Sequence, residues 1–204
     1  MTKIKLCGLS RPEDVDFVNA ARPDWCGFIV NFPASHRSVT PDRVRALRAG
    51  LAPGIAPVGV FVDQPVETVA ALLLNGTLSA AQLHGQEDAA YLAALRAAAP
   101  GFPLWKAIRV RTPADVAAAN ASPADLVLLD SGAGSGQTFD WSLLSAVRRP
   151  YLLAGGLTPE TIPAAVAALH PFGVDLSSGV ETDRVKDREK MIAAVQAARK
   201  DDLL

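Results

Sequence analysis

Two strand-like runs in this chain end on side chains that can move protons. Lys3-Ile4-Lys5-Leu6-Cys7 alternates polar and apolar residues with the period of a strand, then stops at a thiol followed by Gly8. Leu126-Val127-Leu128-Leu129-Asp130 ends on a carboxylate and opens into Ser131-Gly132-Ala133-Gly134-Ser135-Gly136. A thiolate is a base and a carboxyl group an acid, so the pair suits a proton-transfer reaction. On the first run Ile4 and Leu6 share one face, which leaves Lys3, Lys5 and Cys7 on the other. The neighbouring Lys5 ammonium is expected to lower the Cys7 pKa and populate the thiolate. Asp130 closes an apolar strand, and partial desolvation there is expected to raise its pKa toward that of a general acid. The alternatives are a small buried Cys7, as Cys26 is read to be, and an Asp130 that caps its own loop.

Further candidates follow later strand-like runs. Leu153-Ala154-Gly155-Gly156-Leu157-Thr158 and Asp175-Leu176-Ser177-Ser178-Gly179-Val180 both carry the small residues that let backbone N–H groups approach a phosphate. Gly155, Gly156, Ser177, Ser178 and Gly179 are therefore candidate phosphate ligands. Arg37, in Pro33-Ala34-Ser35-His36-Arg37-Ser38, offers a planar fork to a substrate carboxylate, against the alternative of a solvated loop arginine. His84, in Gln82-Leu83-His84-Gly85, reads as pocket wall, and Asp175 ends a strand where it could touch a ligand. Glu181 and Asp183 read as solvated positions.

The elements that must hold these residues alternate along the chain. Strands are expected at Lys3–Cys7, Trp25–Ile29, Ala56–Phe61, Ala80–Leu83, Leu104–Ile108, Leu126–Asp130, Tyr151–Ala154 and Gly173–Leu176, each followed by an Ala- and Leu-rich helical stretch. Ser10 before Pro12, Thr40-Pro41, Thr112-Pro113 and Thr158-Pro159 supply hydroxyl caps beside first-turn prolines. Eight β/α pairs predict an α/β protein, a single-domain, compact (β/α)8 TIM barrel over residues 1–204. That fold usually takes about 250 residues, so the loops must be short. An open doubly wound sheet is the competitor, but Cys7-Gly8-Leu9-Ser10-Arg11 stands where its Gly-x-Gly-x-x-Gly turn would be. In a barrel both Cys7 and Asp130 fall at the mouth, and the two glycine-bearing loops follow the seventh and eighth strands, where phosphate sites recur.

Composition narrows the function classes. Half of the 204 residues are apolar and the formal net charge is −1, with the 20 basic residues dispersed. No basic stripe points to nucleic acid, and no apolar run has the roughly 20 residues of a membrane span. Two cysteines and three scattered histidines give neither a disulfide framework nor metal-ligand spacing. The expectation is a cytoplasmic protein without a metal.

The segments, taken in order, resemble the phosphoribosylanthranilate isomerase family of tryptophan biosynthesis over nearly the whole chain. The likeness runs through Lys5-Leu6-Cys7-Gly8, Gly27-Phe28 with Ser35 through Arg37, Gly59-Val60-Phe61-Val62, and Gln82-Leu83-His84-Gly85-Gln86-Glu87. It continues in Leu128-Leu129-Asp130-Ser131, Phe139-Asp140-Trp141, Leu153 through Leu157, and Asp175 through Glu181 followed by Lys186-Asp187. The resemblance implies a cofactor-free Amadori rearrangement of a phosphosugar, N-(5-phosphoribosyl)anthranilate. In it Asp130 protonates the ribose ring oxygen, Cys7 removes the C2′ proton, and Arg37 receives the anthranilate carboxylate. A monomer or homodimer is expected. The chain departs from the family at Thr158-Pro159-Glu160-Thr161, where asparagines are frequent, and at Gly134-Ser135-Gly136-Gln137, where threonine and lysine are common. Indole-glycerol-phosphate synthase and ribulose-phosphate epimerase are similar in fold, but a first strand ending in Cys7 suits neither. An isomerase for aminoimidazole-carboxamide ribonucleotides uses two aspartates, which Cys7 also disfavours, and a phosphosugar-binding protein without catalysis is the remaining class.

Overall fold

The computed structural model describes residues 1–130 and 141–200. Eight parallel strands form its centre: Lys3–Cys7, Trp25–Val30, Ala56–Phe61, Ala80–Leu83, Leu104–Arg109, Leu126–Asp130, Tyr151–Ala154 and Gly173–Leu176. Each pairs with the next, and the first strand pairs with both the second and the eighth, so the sheet closes on itself. This is the expected (β/α)8 barrel. A two-residue strand, Ser38–Val39, runs beside the outer end of the second.

Alternation along the strands produces two apolar layers. Ile4, Leu6, Phe61, Leu83, Leu104, Val127, Leu129, Val174 and their neighbours point outward and are covered by helices. Inside the barrel, Val58, Ala80, Trp105, Ala107, Leu126, Leu128, Leu152 and Ala154 pack together, with Trp25 edge-on to Trp105 at a ring separation of 5.2 Å. The large indoles fill the end of the barrel remote from the mouth, an arrangement that the ring quadrupoles favour. The mouth end is left to smaller and polar residues.

Seven α-helices lie outside the sheet among the described residues: α1 Pro12–Ala21, α2 Pro41–Arg48, α3 Val66–Leu74, α4 Ala89–Ala98, α5 Pro113–Ala121, α6 Ile162–Leu169 and α7 Arg188–Ala198. After the sixth strand the described residues hold a short 3-10 segment, Trp141–Ala146, instead of the expected α-helix. The loop Ser131 through Gln137 and the motif residues Phe139 and Asp140 lie outside the described residues. Thr40 and Thr112 cap α2 and α5 as expected, accepting from Arg43 N and Asp115 N.

Two expected caps are corrected. At α1 the capping group is the Asp14 carboxylate, which reaches back to accept from the backbone N–H groups of Ser10 and Arg11 at 2.9 and 3.0 Å. A carboxylate takes several donors at once, which a hydroxyl does not match. At α6 the helix begins four residues later than Thr158, and the Thr161 hydroxyl instead accepts from Thr158 N within the preceding turn. Replacing Asp14 by Ala should therefore lower stability by about 1–2 kcal/mol in urea unfolding, while Ser10→Ala should stay within about 0.5 kcal/mol of the parent.

Candidate active site

The C-terminal ends of the strands surround a cavity lined by Cys7, Gln82, His84, Asp130 and Asp175, with Ile29, Val60 and Leu128 as apolar wall. Both expected proton-transfer residues, Cys7 and Asp130, are brought to it. They arrive from the first and sixth strands. Rising on one side are Gly155, Gly156 and Leu157, and beside them Ser177, Ser178 and Gly179. All five candidate phosphate residues thus share one rim.

Cys7 depends on two neighbours. Gly27 stands next to it on the second strand, and a Cβ there would come within 2.7 Å of Cys7 Sγ and 3.1 Å of Lys5 Cε. No larger residue fits unless the thiol or the lysine moves. Lys5, wholly buried, sits one residue pair below and donates to Asp175 Oδ1 at 2.9 Å across the seam between first and eighth strands. Burial works against the Lys5 ammonium, yet Asp175 and Cys7 together hold its pKa above the ordinary lysine range. Lys3, expected on the same face, instead leans out at the opposite end of the strand and donates to Asp24 at 2.7 Å.

The expected thiolate is corrected. Burial pushes the Cys7 thiol up and outweighs the pull of Lys5, while Asp175 adds to the rise. The thiol is therefore protonated near neutral pH. Cys26, fully buried in the outer apolar layer, is pushed by burial up to about 12. His84 is pushed below its usual range by burial, so its ring is neutral near pH 7.

Arg37 does not line the cavity. Its side chain lies over Gly8, whose φ of +85° and missing Cβ leave the space: a Cβ there would meet Arg37 Cδ at 2.5 Å. The guanidinium Nε and Nη2 donate to both oxygens of Glu181, each at 2.6 Å. Two of its five N–H groups are used this way, and the end-on edge keeps a bidentate geometry for a second carboxylate.

Glu181 corrects another expectation: the residue is half-buried, with its side chain only 6% exposed, and not solvated. It also accepts from Lys186 Nζ at 2.7 Å, and Lys186 donates in turn to the Ser177 carbonyl at 2.9 Å. The hairpin Glu181–Thr182 and Val185–Lys186, turned through Asp183 and Arg184 at φ of +51° and +65°, sets the two partners opposite each other. Sequence reading missed Lys186 as a site-supporting residue. Its signal was the five-residue spacing from Glu181 across a two-residue turn. Although burial alone would raise it, Glu181 is held down at about 2 by the hydrogen bonds and charges of Arg37 and Lys186.

The phosphate loops meet backbone to backbone. A Cβ on Gly179 would lie 1.8 Å from the Leu157 carbonyl oxygen, so glycine alone fits there. Gly155 and Gly156 turn the seventh-strand loop at φ of +95° and +65°. Ser177 Oγ donates to the Cys7 carbonyl at 3.2 Å and ties this rim to the first strand. Among the described residues no group of three or more His, Cys, Asp or Glu side chains could hold a metal ion, and no helix is long and apolar enough to cross a membrane.

Comparison with known proteins bears on the whole chain. A family model described as N-(5′phosphoribosyl)anthranilate (PRA) isomerase matches residues 4–197. The N-(5′-phosphoribosyl)anthranilate isomerase of Endomicrobium trichonymphae is 42% identical over 204 residues, spanning 98% of this chain and 99% of the relative. The solved phosphoribosyl anthranilate isomerase of Thermotoga maritima superposes with a TM-score of 0.85 at 34% identity, covering 98% of this chain and 100% of that one. A solved isomerase in complex with reduced 1-(o-carboxyphenylamino)-1-deoxyribulose 5-phosphate gives 0.83 at 33% identity, with the same coverage.

Two outcomes are expected of this geometry. Alkylation of Cys7 by iodoacetamide should be slow near neutral pH and accelerate beyond pH 9, and Lys5→Met should move that rise to still higher pH. Because the folded Glu181 binds its proton less tightly than the ordinary value of 4.5, its contribution is present above that pH and lost as pH falls toward about 2. Glu181→Gln should accordingly flatten the acid limb when urea unfolding is repeated from about pH 6 to about pH 3.

Proposed function

Since the chain belongs to the N-(5′-phosphoribosyl)anthranilate isomerase family, which carries out the isomerase step of tryptophan biosynthesis, we propose that Asp130 and Cys7 are its acid and base. The observation that carries this reading is their convergence on one cavity beside a glycine-walled rim. Arg37, Asp175 and His84 complete the substrate contacts in it, with Gly155, Gly156, Ser177, Ser178 and Gly179 on the phosphate.

The chemistry proceeds by successive proton transfers. Asp130 gives a proton to the ribose ring oxygen while the C1′–O bond breaks and the anilinic nitrogen lone pair forms a C1′=N iminium. Cys7 then removes the C2′ proton, and that electron pair forms the C1′=C2′ bond while the iminium is neutralised to an enolamine. Proton transfer from the 2′ hydroxyl to C1′ yields the ketone, 1-(2-carboxyphenylamino)-1-deoxyribulose 5-phosphate. Atoms and charges balance within the substrate, so the scheme calls for no cofactor.

The order of events resolves the high pKa of Cys7. A buried thiol is a poor base while the substrate is uncharged. The iminium places a positive charge beside it, which adds to Lys5 in favouring the thiolate; the thiol proton passes to the Asp130 carboxylate left by the first step, and the thiolate then takes the C2′ proton that the iminium has made acidic, so both side chains end as they began. The Glu181 clamp supports the role of Arg37 because it fixes a long side chain before the carboxylate arrives, which reduces the ordering cost of binding. A reducing cytoplasmic setting belongs to this reading, since the base must stay a free thiol, as both cysteines are.

The test is loss of phosphoribosylanthranilate fluorescence on addition of the purified, metal-free protein. Wild type should turn over, and Cys7→Ala and Asp130→Asn should each fall by at least about 100-fold in kcat with unchanged circular dichroism. No turnover by the wild type would leave a phosphosugar-binding barrel in place of an enzyme.

A further inference from the structure

The barrel wall opposite the first and eighth strands holds a polar group that the proton-transfer scheme does not use. Gln82 lies on the fourth strand, in register with Val60 and Trp105, and is 1% exposed. It lines the cavity together with His84. Its amide nitrogen donates to His84 Nδ1 at 3.3 Å, whereas its amide oxygen is buried without a hydrogen-bond partner among the described residues. Buried polar groups are almost always paired, so an orphan on a residue that lines a binding cavity marks a place where something else completes the pair.

With the Gln82 amide nitrogen against His84 Nδ1, that ring nitrogen is the acceptor of the neutral imidazole, and the Gln82 carbonyl is the end without a partner among the described residues. We propose that Gln82 is a substrate-binding residue whose amide oxygen accepts a hydrogen bond from a hydroxyl or N–H of the sugar-amine portion of the substrate. The inference rests on the isomerase reading for the identity of that substrate. A phosphate dianion and a carboxylate offer acceptors only, while the ribose hydroxyls and the anilinic N–H are donors. An orphan acceptor therefore selects the middle of the molecule, the stretch on which Cys7 and Asp130 act from other walls.

The test compares wild type with Gln82→Met, which keeps an unbranched chain and removes the amide, and with Gln82→Leu as a second apolar replacement. Each is titrated calorimetrically with reduced 1-(o-carboxyphenylamino)-1-deoxyribulose 5-phosphate and, separately, with inorganic phosphate. The expected result is analogue binding weakened by about tenfold with phosphate binding unchanged. The split between the two ligands is the discriminating readout, because a general disturbance of the barrel mouth, including loss of the Gln82–His84 hydrogen bond, weakens both. Analogue binding within about twofold of wild type would overturn the proposal, and so would equal weakening of both ligands. A wild type that neither binds the analogue nor turns over substrate would instead sink the isomerase reading, on which this proposal rests.

Discussion

The ion pair between Lys5 and Asp175 is the interaction around which the site is organised. It lies inside the barrel, spans the seam where the first strand meets the eighth, and joins two residues that are direct register partners. A buried pair of this kind adds little net stability over an apolar pair, but removing one partner costs about 3–5 kcal/mol because the other charge is stranded. The closure of the barrel and the electrostatics of its mouth are thus tied to the same two side chains. Cys7 sits one residue pair above them and feels both: the ammonium favours its thiolate and the carboxylate opposes it.

From that seam outward, the supporting contacts form a continuous chain. Ser177 is bonded to the Cys7 carbonyl, Lys186 to the Ser177 carbonyl and to Glu181, and Glu181 to Arg37, which lies back over Gly8 beside Cys7. The residues read as base, phosphate rim and carboxylate fork are therefore held by one circuit of hydrogen bonds. The contact of Gly179 with the Leu157 carbonyl joins the neighbouring loop to the same circuit. Within such a network a change at one member is felt by the others, so single replacements there will not be additive.

The barrel was legible because parallel strands covered by helices must be short, apolar and regularly spaced, and residues such as Ala56–Phe61 and Tyr151–Ala154 satisfy that locally. The strand tips were legible for the same reason: a chemical side chain at the end of such a run can only face the mouth. What escaped was set by distance in the sequence. Glu181 looks solvated among Val180, Thr182 and Asp183, whereas its carboxylate is taken up by Arg37, 144 residues away, and by Lys186. The Ser10 cap was misread because Asp14 competes for the same N–H groups with a better acceptor. The state of Cys7 could not be read from Lys5 alone, since the cost of burying a thiolate depends on everything packed around it.

Keeping Cys7 protonated has a consequence for the durability of the protein. Peroxides and electrophiles attack the thiolate far faster than the thiol, so a resting cysteine whose pKa is raised by burial is shielded from oxidation and adduct formation. In the proposed reaction the shield is dropped only while the iminium occupies the cavity, where the occupant itself blocks the way in. A base used once per turnover in that scheme is thereby kept chemically quiet between turnovers.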